Sequence, residues 1–143
     1  MKIIGLKKFK AKVIKNKKGD ILRFLSKKNV FFKGFGEVYF SEIKKNKVKG
    51  WNRHKRNVCI FGVPSGNVEF FFIDGRHKSK SYFAEEKILV NKKNYKILKV
   101  PPGIWFSFRS LSKLSVVSNC INNPHLDSET EKKRKIKNYK INS

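Results

Sequence analysis

The chain is short of acid. Against 35 Lys and Arg it carries only 10 Asp and Glu, a formal net charge of +25 over 143 residues. It is also short of sulfur and imidazole, with two Cys and three His. Cys59 and Cys120 stand apart, with neither C-x-x-C spacing nor further partners, which argues against a cysteine-held zinc site and against a disulfide framework. Two ordinary buried thiols are expected. Long apolar runs are missing too: "MKIIGLKKFKAKVI" is interrupted at Lys7 and Lys8 before a secretory signal could form, and no stretch approaches the ~20 residues of a membrane helix. The expectation is a cytoplasmic protein without a membrane partner.

What is present is bulk. Hydrophobic residues make up 39% and aromatics 13%, with thirteen Phe, so the chain can offset the entropy cost of folding and is not a disordered polycation. Its length suits one domain, taken as residues 1–143. The positive field attracts polyanions, acidic membranes and phosphorylated small molecules without choosing among them, and lysines spread over solvated faces account for much of it.

Period-2 alternation dominates in "EVYFSEI" (Glu37 to Ile43), "VCIFGV" (Val58 to Val63) and "VEFFFI" (Val68 to Ile73), the mark of strands with a buried face. Turn signals separate them: "KKGD" ending at Asp20, "FKGFGE" around Gly34 and Gly36, "PSGN" from Pro64, "DGR" from Asp74, and "VPPG" from Val100. Many short strands joined by turns predict an all-β sandwich or barrel. Ile60, Phe70 and Phe72 are expected in its core. One helix is expected, from Asp127 to about Lys137, with Ser128 as N-cap and Glu131 as its capping-box partner, followed by a frayed tail.

The order of motifs resembles the dTDP-4-dehydrorhamnose 3,5-epimerase-like cupins. "GDILRFL", "FGEVYFSEI", "VKGWNRHK", "VPSGNVEFFFIDGR", "VPPGIWFSF" and "NPHLDSE" run in family order over roughly Asp20 to Lys133. The resemblance implies a jelly-roll barrel over about residues 20–124, with a helix and tail over about 125–143. It further implies a homodimer, no cofactor, and activity as an epimerase or ketoisomerase on nucleotide-diphosphate 4-keto sugars destined for surface polysaccharide.

The resemblance also assigns residues. The epimerase strand motif R-G-L-H lies over Lys49, Gly50, Trp51 and Asn52, so Asn52 stands where the family's general base His would be. Related sugar 3,4-ketoisomerases have R-G-x-H-x-H there, whose second His falls on His54. On a strand, positions 52 and 54 share a face. Lys49 matches the phosphate-binding Arg and keeps its charge without the planar fork. Phe106 replaces a supporting His, while Ile121 and Asn122 lie where the family supplies its acid Tyr. Removing a proton beside a ketone needs a base near neutral pKa and a donor or cation on the growing enolate. The resulting assignment has His54 as base, Asn52 or Lys49 on the enolate, Tyr39 as proton donor, and Trp51 or Trp105 stacking on sugar or base. Arg76 and Phe106 complete the expected substrate-binding residues.

A metal site is not expected, because the cupin H-x-H, Glu and later His reduce to His54 alone, and a divalent ion wants three or four ligands. Two other function classes remain. A cupin that binds nucleotide sugar without turning it over fits the changed positions. A single-stranded nucleic-acid-binding barrel fits the charge and "KGFG" at Lys33 to Gly36, although that match to cold-shock domains is short and nucleic acid is the less favoured partner.

Overall fold

The computed structural model describes residues 2–136. In chain order its elements are β1 (Lys7–Lys10), β2 (Val13–Ile14), β3 (Ile21–Leu22), β4 (Glu37–Lys44), β5 (Val48–His54), β6 (Cys59–Ser65), β7 (Val68–Asp74), β8 (Glu85–Val90), β9 (Lys96–Val100), β10 (Ile104–Ser110), β11 (Leu114–Ile121), a 3₁₀ turn (Asp127–Glu129) and β12 (Thr130–Lys132). Two five-stranded antiparallel sheets face each other, in the orders β1-β9-β6-β11-β4 and β12-β5-β10-β7-β8. This is the expected all-β jelly roll. Among the described residues no helix is long and apolar enough to cross a membrane.

Alternation decides what each sheet buries. Phe70 and Phe72 of β7, Ile104, Phe106 and Phe108 of β10, and Phe61 and Val63 of β6 meet between the sheets in the main core. The residues between them point outward. Phe71, Ile73, Trp51 and Trp105 gather with Ile136 on the back of the β5–β10–β7 sheet. Because β7 is covered on both faces it reads as a continuous apolar run. Ile60 is buried as expected, but on the back of the other sheet, with Ile97, Cys120 and Tyr95 under the β2–β3 hairpin. Both cysteines are free and buried.

The C-terminal helix is a correction. Asp127–Glu129 forms one 3₁₀ turn, and Thr130–Lys132 pairs antiparallel with Arg53 and its neighbours as an edge strand. Leu126, not Ser128, occupies the N-cap position and makes no side-chain cap. The acids that suggested a first helical turn are used elsewhere. Glu129 is buried against the β5–β6 loop, and Glu131 Oε2 accepts from Arg53 at 2.7 Å. Lys137, the expected helix end, and the tail lie outside the described residues.

Candidate active site

The site starts from a fault in β5. Phe106 pairs with Asn52, Ser107 with Gly50 and Phe108 with Lys49, so the register shifts between Phe106 and Ser107. Gly50 makes this possible: its φ is +115°, and a Cβ there would lie 2.7 Å from the Phe106 carbonyl oxygen. The extra residue puts both Lys49 and Asn52 opposite inward-facing phenylalanines, which strict alternation would forbid. Trp51 and Arg53 are left on the outside. Beyond the fault, the His54 ring lies parallel to Phe106 at 5.9 Å between centroids and 9° between planes. His54 is therefore an interior residue and only 5% exposed.

Behind the imidazole sits Glu129. Its Oε1 accepts from the backbone N–H groups of Arg56 at 2.6 Å and Asn57 at 2.7 Å, and Arg56 Nε approaches Oε2 at 3.4 Å. Burial pushes this carboxyl up, but those N–H groups and Arg56 more than offset it, so Glu129 titrates below the ordinary range and stays ionised. The same Oε1 lies 3.8 Å from His54 Nδ1. Among the described residues Nδ1 has no hydrogen-bond partner. The anion favours a proton on Nδ1 and leaves Nε2 as the lone-pair nitrogen. Burial lowers the His54 pKa, Glu129 opposes that and His125 adds to it. The ring is neutral at physiological pH.

The opposing sheet contributes Tyr39. It pairs with Asn119, which in turn pairs with Phe61 of the core, so all three face inward. Asn119 Nδ2 donates to Tyr39 Oη at 2.8 Å. Burial raises the tyrosine pKa, aided by Cys59 and Glu37 and opposed by Asn119, so the phenol keeps its proton. Burial also pushes the neighbouring Cys59 thiol up to about 12, which makes it inert as a nucleophile. Lys49 Nζ donates to Ser41 Oγ of β4 at 2.8 Å, spanning the sheets at an exposed position.

Of the residues singled out in the sequence, His54, Asn52 and Phe106 thus line the barrel interior, Tyr39 faces it while 38% exposed, and Lys49 lies exposed at its mouth. Trp51 and Trp105 lie on the opposite face of the sheet. Arg76 is engaged: Nε and Nη2 donate to Asp74 at 2.8 and 2.9 Å, and Nη2 also donates to the Ile4 carbonyl, tying the N-terminal segment to the barrel end. Glu129, Asn119 and Ser41 were not singled out. Among the described residues no three His, Cys, Asp or Glu side chains converge as a metal site would require.

Residues 1–140 match the family described as WxcM-like, C-terminal (FdtA). The chain belongs to that family. A solved dTDP sugar isomerase from Desulfovibrio desulfuricans G20 is 31% identical, over 92% of this chain and 85% of that one, with a TM-score of 0.89. A dTDP-4-dehydrorhamnose 3,5-epimerase from Sulfolobus tokodaii is 24% identical over 90% and 77%, with a TM-score of 0.82. A dTDP-6-deoxy-D-glucose-3,5-epimerase from Legionella pneumophila Philadelphia 1, solved with dTDP-4-keto-L-rhamnose, is 16% identical over 92% and 74%, with a TM-score of 0.83. The latter two show the shared fold. A comparison with curated proteins gave no match. The barrel shared with the 3,5-epimerases agrees with the resemblance read from the order of motifs.

Proposed function

We propose that this WxcM-like protein is a cytoplasmic epimerase or ketoisomerase of nucleotide-diphosphate 4-keto-6-deoxy sugars, feeding surface polysaccharide. The observation that carries this reading is His54: a buried, neutral imidazole on the barrel's inner face, backed by an ionised carboxylate. His54 Nε2 takes the proton from the carbon beside the C4 ketone. As the C–H bond breaks, its electron pair moves into the ring as an enolate, and the imidazolium formed is stabilised by Glu129. Tyr39, whose proton is retained, donates to the enolate oxygen, while the Asn52 amide steadies it. Epimerisation follows when a solvent proton reaches that carbon on the face opposite His54 as the ketone re-forms, and His54 loses its own proton to solvent; if the carbonyl moves to C3, His54 returns its proton to C4 while the C3 hydroxyl proton passes to the C4 oxygen. Lys49 at the mouth meets the diphosphate as a point charge.

Asn52 and His54 distinguish turnover from mere binding. Asn52 cannot serve as a base, so a chain that depends on that position binds sugar nucleotide without changing it. Incubating the protein with dTDP-4-keto-6-deoxyglucose in heavy water separates the readings. Deuterium at C3 or C5, seen by NMR, supports catalysis. Saturable binding with no exchange establishes the binding-only cupin. Stabilisation only by single-stranded RNA, collapsing with salt, establishes the nucleic-acid reading.

The same proposal includes a homodimer. β4 is an edge strand, and Phe35, Val38 and Phe40 on and before it are 71%, 40% and 68% exposed. An unpaired edge beside apolar side chains is a surface that a second copy covers.

A further inference from the structure

Trp105, displaced from the barrel, lines a separate hollow. On the back of the β5–β10–β7 sheet a cavity of about 100 Å³ is enclosed by Arg53, His77, Tyr82, Phe83, Trp105 and Lys133, with Ile73, Asp74, Gly75 and Ile136 completing the wall. Its walls are flat rings and cations. The Arg53 guanidinium lies 4.4 Å, and Lys133 Nζ 5.1 Å, from the Trp105 ring centroid. His77 packs on Tyr82 at 4.7 Å, and Tyr82 meets Phe83 edge-on at 4.7 Å.

The charge inside is unbalanced in one direction. Arg53 is paired with Glu131, and Asp74 is neutralised by Arg76 and by the Ser81 hydroxyl. Lys133 has no carboxylate partner among the described residues. The backbone supplies an independent observation. Phe83 holds φ +67° although its side chain is 49% exposed, a conformation that a bulky residue adopts only under constraint. Its N–H donates to the Asp74 carbonyl at 2.9 Å, which holds its backbone at the rim.

We infer that this hollow is a second ligand site, taking a single flat aromatic ring that bears an anionic group. The ring packs against Tyr82 and Phe83 at the rim, and the acid reaches Lys133 and His77. Size bounds the class: a sealed cavity of about 150 Å³ accommodates benzene, and this smaller, partly open hollow admits at most one ring with part of it and its polar end outside, not a nucleotide sugar. The site is distinct from the barrel. Arg53 and Trp105 project from the opposite face of the strands that carry His54 and Phe106.

The test uses 4-fluorobenzoate followed by ¹⁹F NMR on the whole protein saturated with dTDP. Saturable millimolar or tighter binding that persists with dTDP present is expected. Lys133→Gln weakens it by about tenfold. Phe83→Gly removes the wall while relieving the positive φ, so binding is lost without a fall in thermal midpoint. Displacement by dTDP, equal binding of 4-fluorotoluene, or full affinity in folded Phe83→Gly overturns the assignment. So does the absence of any saturable binding.

Discussion

Glu129 Oε1 stands 3.8 Å from His54 Nδ1, both groups buried, while the same oxygen accepts two backbone N–H bonds from the β5–β6 loop. A carboxylate so held is both a structural anchor and an electrostatic partner. Glu129→Gln retains an acceptor for the loop but removes the charge. Loss of charge-assisted bonds predicts a destabilisation of about 2 kcal/mol in denaturant unfolding. It also predicts that the acidic limb of any exchange profile moves to lower pH, since the attraction that raised the His54 pKa is gone. An unmoved limb shows that the two groups are uncoupled.

Stability should depend on acid in two stages. The His54 pKa is lowered by folding, so its contribution is complete above the unfolded value of about 6.5 and is lost as pH falls through the folded one. Glu129 and Asp74 are also lowered, which makes their contribution complete above about 4.3 and 3.9 and lost below. A thermal midpoint that is flat above neutrality, declines gently below about pH 6.5 and falls steeply below about pH 4.3 is expected. His54→Asn removes the first stage alone. A midpoint that rises on acidification contradicts both assignments.

Gly50→Ala should damage site and fold together. The added Cβ meets the Phe106 carbonyl oxygen at 2.7 Å on a backbone at φ +115°. A cost of about 1–3 kcal/mol and loss of substrate binding are expected from chemical denaturation and thermal shift with dTDP. Unchanged stability means that the fault in β5 relaxes readily.

The proposed dimer is tested by Phe40→Glu, which places a charge on the exposed face of the β4 edge. Light scattering should give twice the monomer mass for the parent and the monomer mass for the variant, with the same circular dichroism. A monomeric parent at micromolar concentration refutes the interface.

How much of this was legible in the sequence depends on whether the information is local. β4, β6 and β7 announce themselves because period 2 and flanking turns are local properties. β1 was not legible, since "KKFK" reads as solvated chain until β9 pairs with it. Ser128 and Glu131 carry a genuine capping signal, but the pairing with β5 and the buried bonds of Glu129 outweigh a local propensity of a few tenths of a kcal/mol per residue. Strand spacing correctly puts Asn52 and His54 on one face. It could not tell that the Gly50 fault brings Lys49 to that face; Trp51 and Trp105, each next to an inward residue, alternate onto the other. Glu129 and Asn119 escaped notice because only the closed barrel brings them to His54 and Tyr39.

The central claim is that the His54 imidazole removes a proton beside a sugar ketone, and it is tested most directly by comparing deuterium uptake in the parent and in His54→Asn. With dTDP-4-keto-6-deoxyglucose in heavy water, the parent should label C3 or C5. The variant should bind dTDP as before yet exchange at least ~100-fold more slowly, since a general base and not a ground-state contact has been removed. Exchange in the variant at the parent's rate contradicts the account and directs the search for the base to Tyr39.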